Sequence, residues 1–271
     1  MTDTVERSGR SQWPDVRPVA MGDLLEVLAA GLGDFRRAPG VGLVLGGIYA
    51  VGGWLLILLL IRFDLPFLVY PLAAGFVLVV PFVVTGFYAV SAILERGERP
   101  TWAAVGRLVW RSARRDLGWM ALVTGFSFFI WMDIAAVLFF GFLGLGALSA
   151  DTFFAQLFTT PAGLMFLVVG HGAGAVIALA VFSYTVTSFP MLFDRDCDFV
   201  TAMVTSVRVV LANKRAMVAW CVVIGVCIGL SLLSGLVGLF VVLPVLGHAS
   251  WHLYRRAVAP ADDAGAAAAS A

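Results

Sequence analysis

The chain has 271 residues, 61% hydrophobic and 13% charged, with a mean hydropathy of +0.97; soluble domains are about half apolar and a quarter charged. These proportions exclude an ordinary water-soluble protein. A net charge of +1 and the lack of any recognition motif exclude a nucleic-acid-binding surface.

Residues 1–38 read as a polar leader without the apolar core and cleavage site of a removable signal peptide. Within it Met21, Leu24, Leu25, Leu28, Leu32 and Phe35 recur at helical spacing, with Asp23, Glu26 and Asp34 interleaved. This predicts a short amphipathic helix at the inner membrane surface, either an interfacial anchor or a partner-docking helix. Residues 39–256 form one transmembrane bundle. A crossing helix needs about 20 mostly apolar residues, and uncharged or nearly uncharged runs at Pro39–Ile61, Pro66–Leu94, Leu117–Ala150 and Pro161–Phe193 supply four. The last run, Met217–Tyr254, is 38 residues long and is either one long helix or two short ones.

Cation bookkeeping favours two. Arg7, Arg10, Arg17, Arg36 and Arg37 precede span one, and only Arg62 follows it. The gap after span two holds Arg96, Arg99, Arg107, Arg111, Arg114 and Arg115; the next holds none, and the one after holds Arg195, Arg208, Lys214 and Arg215. Positive charge collects on the cytoplasmic side, which places the amino terminus inside. A turn near Ser234-Gly235 then returns Arg255 and Arg256 to that side. The expected fold is therefore an all-α polytopic membrane helical bundle of six transmembrane helices, with five as the alternative, and with amphipathic surface helices on the cytoplasmic side. The tail 257–271, Ala-rich, is expected to be disordered.

The two basic gaps resemble each other. Tyr88 to Tyr184 is 96 positions, Arg96 to Arg195 is 99 and Trp119 to Trp220 is 101, which suggests a parallel repeat over about 66–140 and 161–235. Each copy would hold a surface helix. In the first, Trp102, Val105 and Val109 oppose Arg107, Arg111, Arg114 and Arg115; in the second, Phe199, Met203, Val207 and Leu211 oppose Thr205, Arg208 and Lys214. Arg107, Arg111, Arg114, Arg115, Lys214 and Arg215 are the candidates for anionic lipid headgroups, at about 1 kcal/mol per cation.

Polar residues inside spans are costly and mark function. Asp133 lies 16 residues into span three and His171 lies 10 into span four, depths of roughly 24 and 15 Å from opposite edges. The two could meet as a proton-responsive couple, or serve as an interhelical hydrogen bond or a vestibule acid. His248 and His252 share a helix face at i, i+4, as paired metal or haem ligands would, but no carboxylate or thiolate lies near them in sequence. Their simpler role is in the aromatic and basic belt Gly247-His-Ala-Ser-Trp-His-Leu-Tyr-Arg-Arg256. Cys197, Cys221 and Cys227 are odd in number and lack ligand spacing, so no metal or cofactor is expected. Gly42/Gly46, Gly170/Gly174 and Gly225/Gly229 have small-xxx-small spacing, which permits a homo-oligomer through Gly-rich faces. Pro81, Pro190 and Pro244 are expected to kink their helices.

The chain resembles a bacterial integral membrane family catalogued as domain of unknown function 2189. The resemblance rests on Asp34-Phe-Arg-Arg-Ala-Pro39, Gly86-Phe-Tyr-Ala-Val-Ser-Ala-Ile-Leu-Glu-Arg-Gly-Glu98, Asn213 and Pro244-Val-Leu-Gly-His-Ala-Ser-Trp-His-Leu-Tyr-Arg255, and covers roughly residues 20 to 258. It implies a multi-helix protein of the bacterial inner (cytoplasmic) membrane without an assigned activity. Labels of some relatives suggest an oxidase subunit, but such a subunit needs a full set of haem and copper histidines against the three here. Two functions follow as expectations. The first is a non-enzymatic permease-like or lipid-interacting bundle, its partners membrane lipids and an unknown small molecule. The second is an intramembrane proton- or electron-handling enzyme, or oxidase-associated subunit, using Asp133 and the histidines.

Overall fold

The computed structural model describes residues 14–63, 83–113, 116–145 and 150–260. In chain order the helices are α1 (Met21–Arg37), α2 (Pro39–Phe63), α3 (Val83–Glu95), α4 (Trp102–Ala113), α5 (Leu117–Phe142) and α6 (Ala150–Thr159). They continue with α7 (Pro161–Thr185), α8 (Ser188–Asp194), α9 (Phe199–Ala212), α10 (Lys214–Leu233) and α11 (Leu239–Ala257). Among the described residues no strand occurs, only an antiparallel bridge of Val16 with Val258.

Four helices are long and apolar enough to cross a membrane: Pro39–Leu59 of α2, α5, Pro161–Asp194 through α7 and α8, and α10. They coincide with expected spans one, three, four and five. Much of expected span two, including Pro81, lies outside the described residues, and α3 is its described end. The 38-residue run is two helices. Gly235 and Leu236 both take positive φ (67° and 70°), and Ser234 Oγ accepts from the Gly238 N–H (2.8 Å). The second of them, α11, is not among the four apolar spans, because polar residues run along its carboxy-terminal half.

Local chemistry sets the ends. Thr160 Oγ1 accepts from the Gly163 N–H (3.0 Å) with Pro161 following, and Asp198 Oδ1 accepts from the Thr201 N–H (2.9 Å); both are side-chain caps of the first turn. Span three ends at Phe142, where Gly144 turns with φ +67°, earlier than Ala150. Pro190 breaks span four rather than bending it: α7 stops at Thr185, and the Thr187 N–H bonds Ser206 Oγ (3.2 Å).

Helix α11 is the axis of the molecule. α2 runs antiparallel along its first half and α1 along its second. A Cβ on Gly46 would lie 3.0 Å from the Leu239 oxygen, and one on Gly31 would lie 2.6 Å from both the Ala249 nitrogen and the Val245 oxygen. This corrects the expected apolar face of α1. The buried stripe is Leu24, Val27, Gly31 and Asp34, whereas Met21 and Leu25 are exposed, because only the glycine side lets two backbones approach so closely.

The surface helices are also turned. Trp102 is exposed while Val105 is buried, so the two do not share a face. In α9 Thr205 is fully buried, not outward, and Leu211 is exposed. Small polar residues face inward because their hydroxyls find backbone acceptors: Thr205 donates to the Thr201 oxygen (2.8 Å) and Ser206 to the Ser183 oxygen (2.9 Å).

Residues 257–259 are held, not free. The Arg17 N–H donates to the Ala257 oxygen (2.8 Å) and the Ala259 N–H to the Asp15 oxygen (3.0 Å); the rest of the expected tail, from 261, lies outside the described residues. Asn213 clamps the same strand-like segment, accepting from the Val19 N–H (2.7 Å) and donating to the Arg17 oxygen (3.1 Å).

Burial is uneven. The main core joins Leu24 and Val27 of α1, Tyr88 of α3, Met191 of α8, Val209 of α9, Trp220 of α10, and Trp251 and Tyr254 of α11. By contrast, the apolar windows of α5 and α7 are 6% and 0% buried, against 33% for α2. One end of the molecule is a packed core, and α5 and α7 form a thin pair extending from it.

Candidate functional site

The packed end encloses a polar cluster. Asp34 comes from α1, Ser91 from α3, and His248 and His252 from successive turns of α11; Asp34, Ser91 and His248 are buried. Ser91 Oγ donates to Asp34 Oδ2 (2.8 Å) and lies 2.9 Å from His248 Nδ1. A serine hydroxyl has one hydrogen, so His248 Nδ1 is the donor in that second bond. His248 Nε2 is then a bare acceptor, buried and, among the described residues, without a hydrogen-bond partner. His252 Nε2 donates to the same Asp34 oxygen (2.7 Å), and Arg37 stands 3.9 Å from the other. Burial pushes the Asp34 carboxyl up, but the His252 and Ser91 hydrogen bonds and the two imidazoles outweigh it and hold the group below its usual range.

A second network closes around the end of α11. Tyr254 Oη donates to Asp194 Oδ2 (2.8 Å) and accepts from Arg195 Nε (2.7 Å); Arg195 also donates to the Ala259 oxygen. The Trp251 indole N–H donates to Glu95 Oε1 (2.9 Å). Arg255 lies between the two acids, 3.7 Å from Glu95 and 3.5 Å from Asp194. Arg256 pairs with Glu26 (2.6 Å) and Asp23 (2.8 Å) of α1.

The histidines therefore do have a carboxylate, supplied by Asp34 from 218 positions before His252. Sequence reasoning missed Asp34 and Ser91. The available signal was register: Asp34 continues the spacing of Leu24, Val27 and Gly31, an acid on an apolar stripe. His248 and His252 do share a face, and it points into the molecule rather than forming only a surface belt. Among the described residues no group of three or more His, Cys, Asp or Glu side chains is arranged to hold a metal ion, and Cys197, Cys221 and Cys227 form no disulfide.

Asp133 and His171 are not brought together. Helices α5 and α7 are neighbours, packed through Phe139 and Phe142 against Phe166, and the groove between them is lined by Trp131, Ala135 and His171 among others. Asp133 lies about 200° around α5 from Trp131 at 100° per residue, so it faces away from α7. Both side chains are exposed, and His171 Nδ1 lies 2.7 Å from the Leu167 oxygen of its own helix. An acid facing lipid near a helix centre costs about 2.5–3.5 kcal/mol on insertion scales.

Of the headgroup candidates, Arg107 and Arg111 are exposed on α4 beside exposed Trp102 and Trp110, while Val105 and Ser112 of that helix are buried. Lys214 and Arg215 are exposed at the start of α10, next to a shallow pocket that reaches Met21 and Asn213. Arg114 and Arg115 lie outside the described residues. Gly42 packs against Phe35 and Pro244, and Gly46 against α11, so that pair is used within the chain; Gly170, Gly225 and Gly229 face open space.

Helices of this length and apolarity, with polar groups gathered at one end, define a multi-pass integral membrane protein. Residues 69–194 match the family model described as predicted integral membrane protein (DUF2189), the family whose motifs the sequence resembles. The match runs from before α3 through α8 and takes in Ser91, Glu95, Asp133, His171 and Asp194, leaving α1 and α11 outside it. No curated protein and no solved structure matches the chain.

Proposed function

We propose that this is a non-enzymatic, lipid-interacting membrane bundle that seats α4 on an anionic membrane surface. The carrying observation is the free face of α4, where Trp102 and Trp110 stand exposed beside Arg107 and Arg111 while Val105 on the other side is buried. Indole rings prefer the headgroup level and arginine prefers anionic phosphate. Six spans, with the apolar start of α11 as the sixth, and a cytoplasmic packed end in the inner membrane of a bacterium, accord with the cation distribution. The parallel repeat gains support from Glu95 and Asp194, the acid steps of the two copies, which both reach Arg255.

The test is reconstitution in nanodiscs containing phosphatidylglycerol or phosphatidylcholine, with retained lipid read by native mass spectrometry. Anionic lipid is expected to be enriched, and Arg107→Gln and Arg111→Gln each to lower its retention about fivefold, the equivalent of about 1 kcal/mol per charge. Equal retention of both lipids would sink the reading.

A second reading, proton handling, is favoured by one observation. The bonded chain His252–Asp34–Ser91–His248 leads from a partly exposed imidazole to a buried bare nitrogen. Proteoliposomes loaded with a pH-sensitive dye should then show proton movement that His248→Gln and Asp34→Asn abolish; indifference of the dye signal to both variants would exclude it.

A further inference from the structure

The outward side of α5 is a continuous ridge. Leu122, Phe126, Ile130, Val137 and Phe140 are 42–72% exposed, spaced three or four apart, with Asp133 in their line. On the opposite side of α5, the groove shared with α7 has a volume of about 410 Å³ and is lined by Trp131, Ala135, Gly170, His171, Gly174 and Ala178 among others. Small residues there leave room for a helix to approach.

The two faces are matched in depth. Asp133 lies nine residues before the end of α5 at Phe142 and His171 ten after the start of α7 at Pro161, about 14 and 15 Å from those neighbouring ends at 1.5 Å per residue. Both groups lack a partner from the described residues of their own chain across this face. The Leu167 carbonyl can only accept, so His171 carries its hydrogen on Nδ1 and leaves Nε2 to meet a carboxyl oxygen.

We propose that the ridge of α5 in one copy docks into the α5–α7 groove of a second copy of this chain, pairing Asp133 of the first with His171 of the second. An acid of one copy and a base of the next, at one depth on opposite faces, is charge complementarity in the head-to-tail sense. Because ridge and groove lie on opposite sides of α5, each copy can use both at once, and such heterologous contacts extend from copy to copy, as an open row or, where the rotation between copies closes, as a ring. The pair stays joined whichever partner holds the proton.

The test is fluorescence energy transfer between donor- and acceptor-tagged full-length copies in vesicles of phosphatidylethanolamine and phosphatidylglycerol, followed as lipid dilutes the protein. Wild type should associate, and Asp133→Leu or His171→Leu should each weaken association by about tenfold or more. A mixture of the two variants should recover, because Asp133 on the His171→Leu copy can meet His171 on the Asp133→Leu copy. Asp133→Asn mixed with His171→Gln guards against a folding defect in the leucine variants and is read by the same comparison with wild type. A wild type that stays monomeric with lipid filling the groove overturns the proposal. So does association that His171→Leu leaves untouched, as in an Asp133-to-Asp133 contact, or failure of the leucine mixture to recover while each variant alone remains folded by thermal melting.

Discussion

Asp34 shows what one buried acid does. It accepts from His252 and Ser91 at once, tying α1 to α3 and α11, and its removal strands two donors in a buried site. Asp34→Ala should therefore lower stability by about 1–3 kcal/mol, measured by thermal melting in detergent. The pH dependence has a definite sign. A carboxyl held below its ordinary value of 3.8 contributes stability that is complete above that value and is lost as pH falls through its lower folded value. Wild type should melt earlier below about pH 4, and Asp34→Asn should flatten that acid limb; an unchanged limb would show that the carboxylate contributes nothing. Gly31 is the companion residue. Leu in its place would drive carbon into the backbone of α11 at Val245 and Ala249, an overpacking cost of about 1–3 kcal/mol or more. The sequence announced neither role, because a glycine and an aspartate among leucines look like interruptions until α11 is laid against them.

Among elements, the ones most legible in sequence were those set by local rules. The break between α10 and α11 followed from cation counting and the amphipathic character of α4 from its alternating tryptophans and arginines, whereas Pro190, expected to kink span four, stands just beyond the point where α7 ends. Which face of α1, α4 and α9 turns inward was not legible, since it depends on neighbours distant in the chain: Thr205 and Ser206 go inward to backbone carbonyls that periodicity cannot foresee. The same distance hid the network at the end of α11. There, magnitudes separate two interactions that look alike. Arg255 is 42% exposed, and exposed ion pairs contribute about 0–1 kcal/mol, whereas the Tyr254 hydroxyl joins Asp194 and Arg195 from a fully buried ring. Tyr254→Phe should destabilise more than Arg255→Met, by chemical denaturation of the two variants side by side; the reverse order would mean that the ion pairs hold α3 and α8 to α11.

At the scale of the molecule, composition and apolar runs disclosed a membrane protein and the positions of four spans, because bilayer thickness fixes helix length independently of any partner. They did not disclose that the core gathers at one end while α5 and α7 stand almost bare, a division that comes from which helices meet α11. Truncation after Gly247 removes His248, Trp251 and Tyr254 from that core and should leave α1 open to proteolysis, while α5 and α7, which pack chiefly on each other and on α6, α8 and α9, stay resistant. Cleavage first between α5 and α7 would contradict this division. The central placement of α11 also has a consequence in time. At about 5–20 residues per second of synthesis, the 218 positions between Asp34 and His252 amount to a wait of roughly 10–40 s. During that interval α1 and α2 have emerged but the helix they clasp has not, so the nascent chain carries an unmated acid and an open glycine seam that a chaperone or protease can recognise as unfinished.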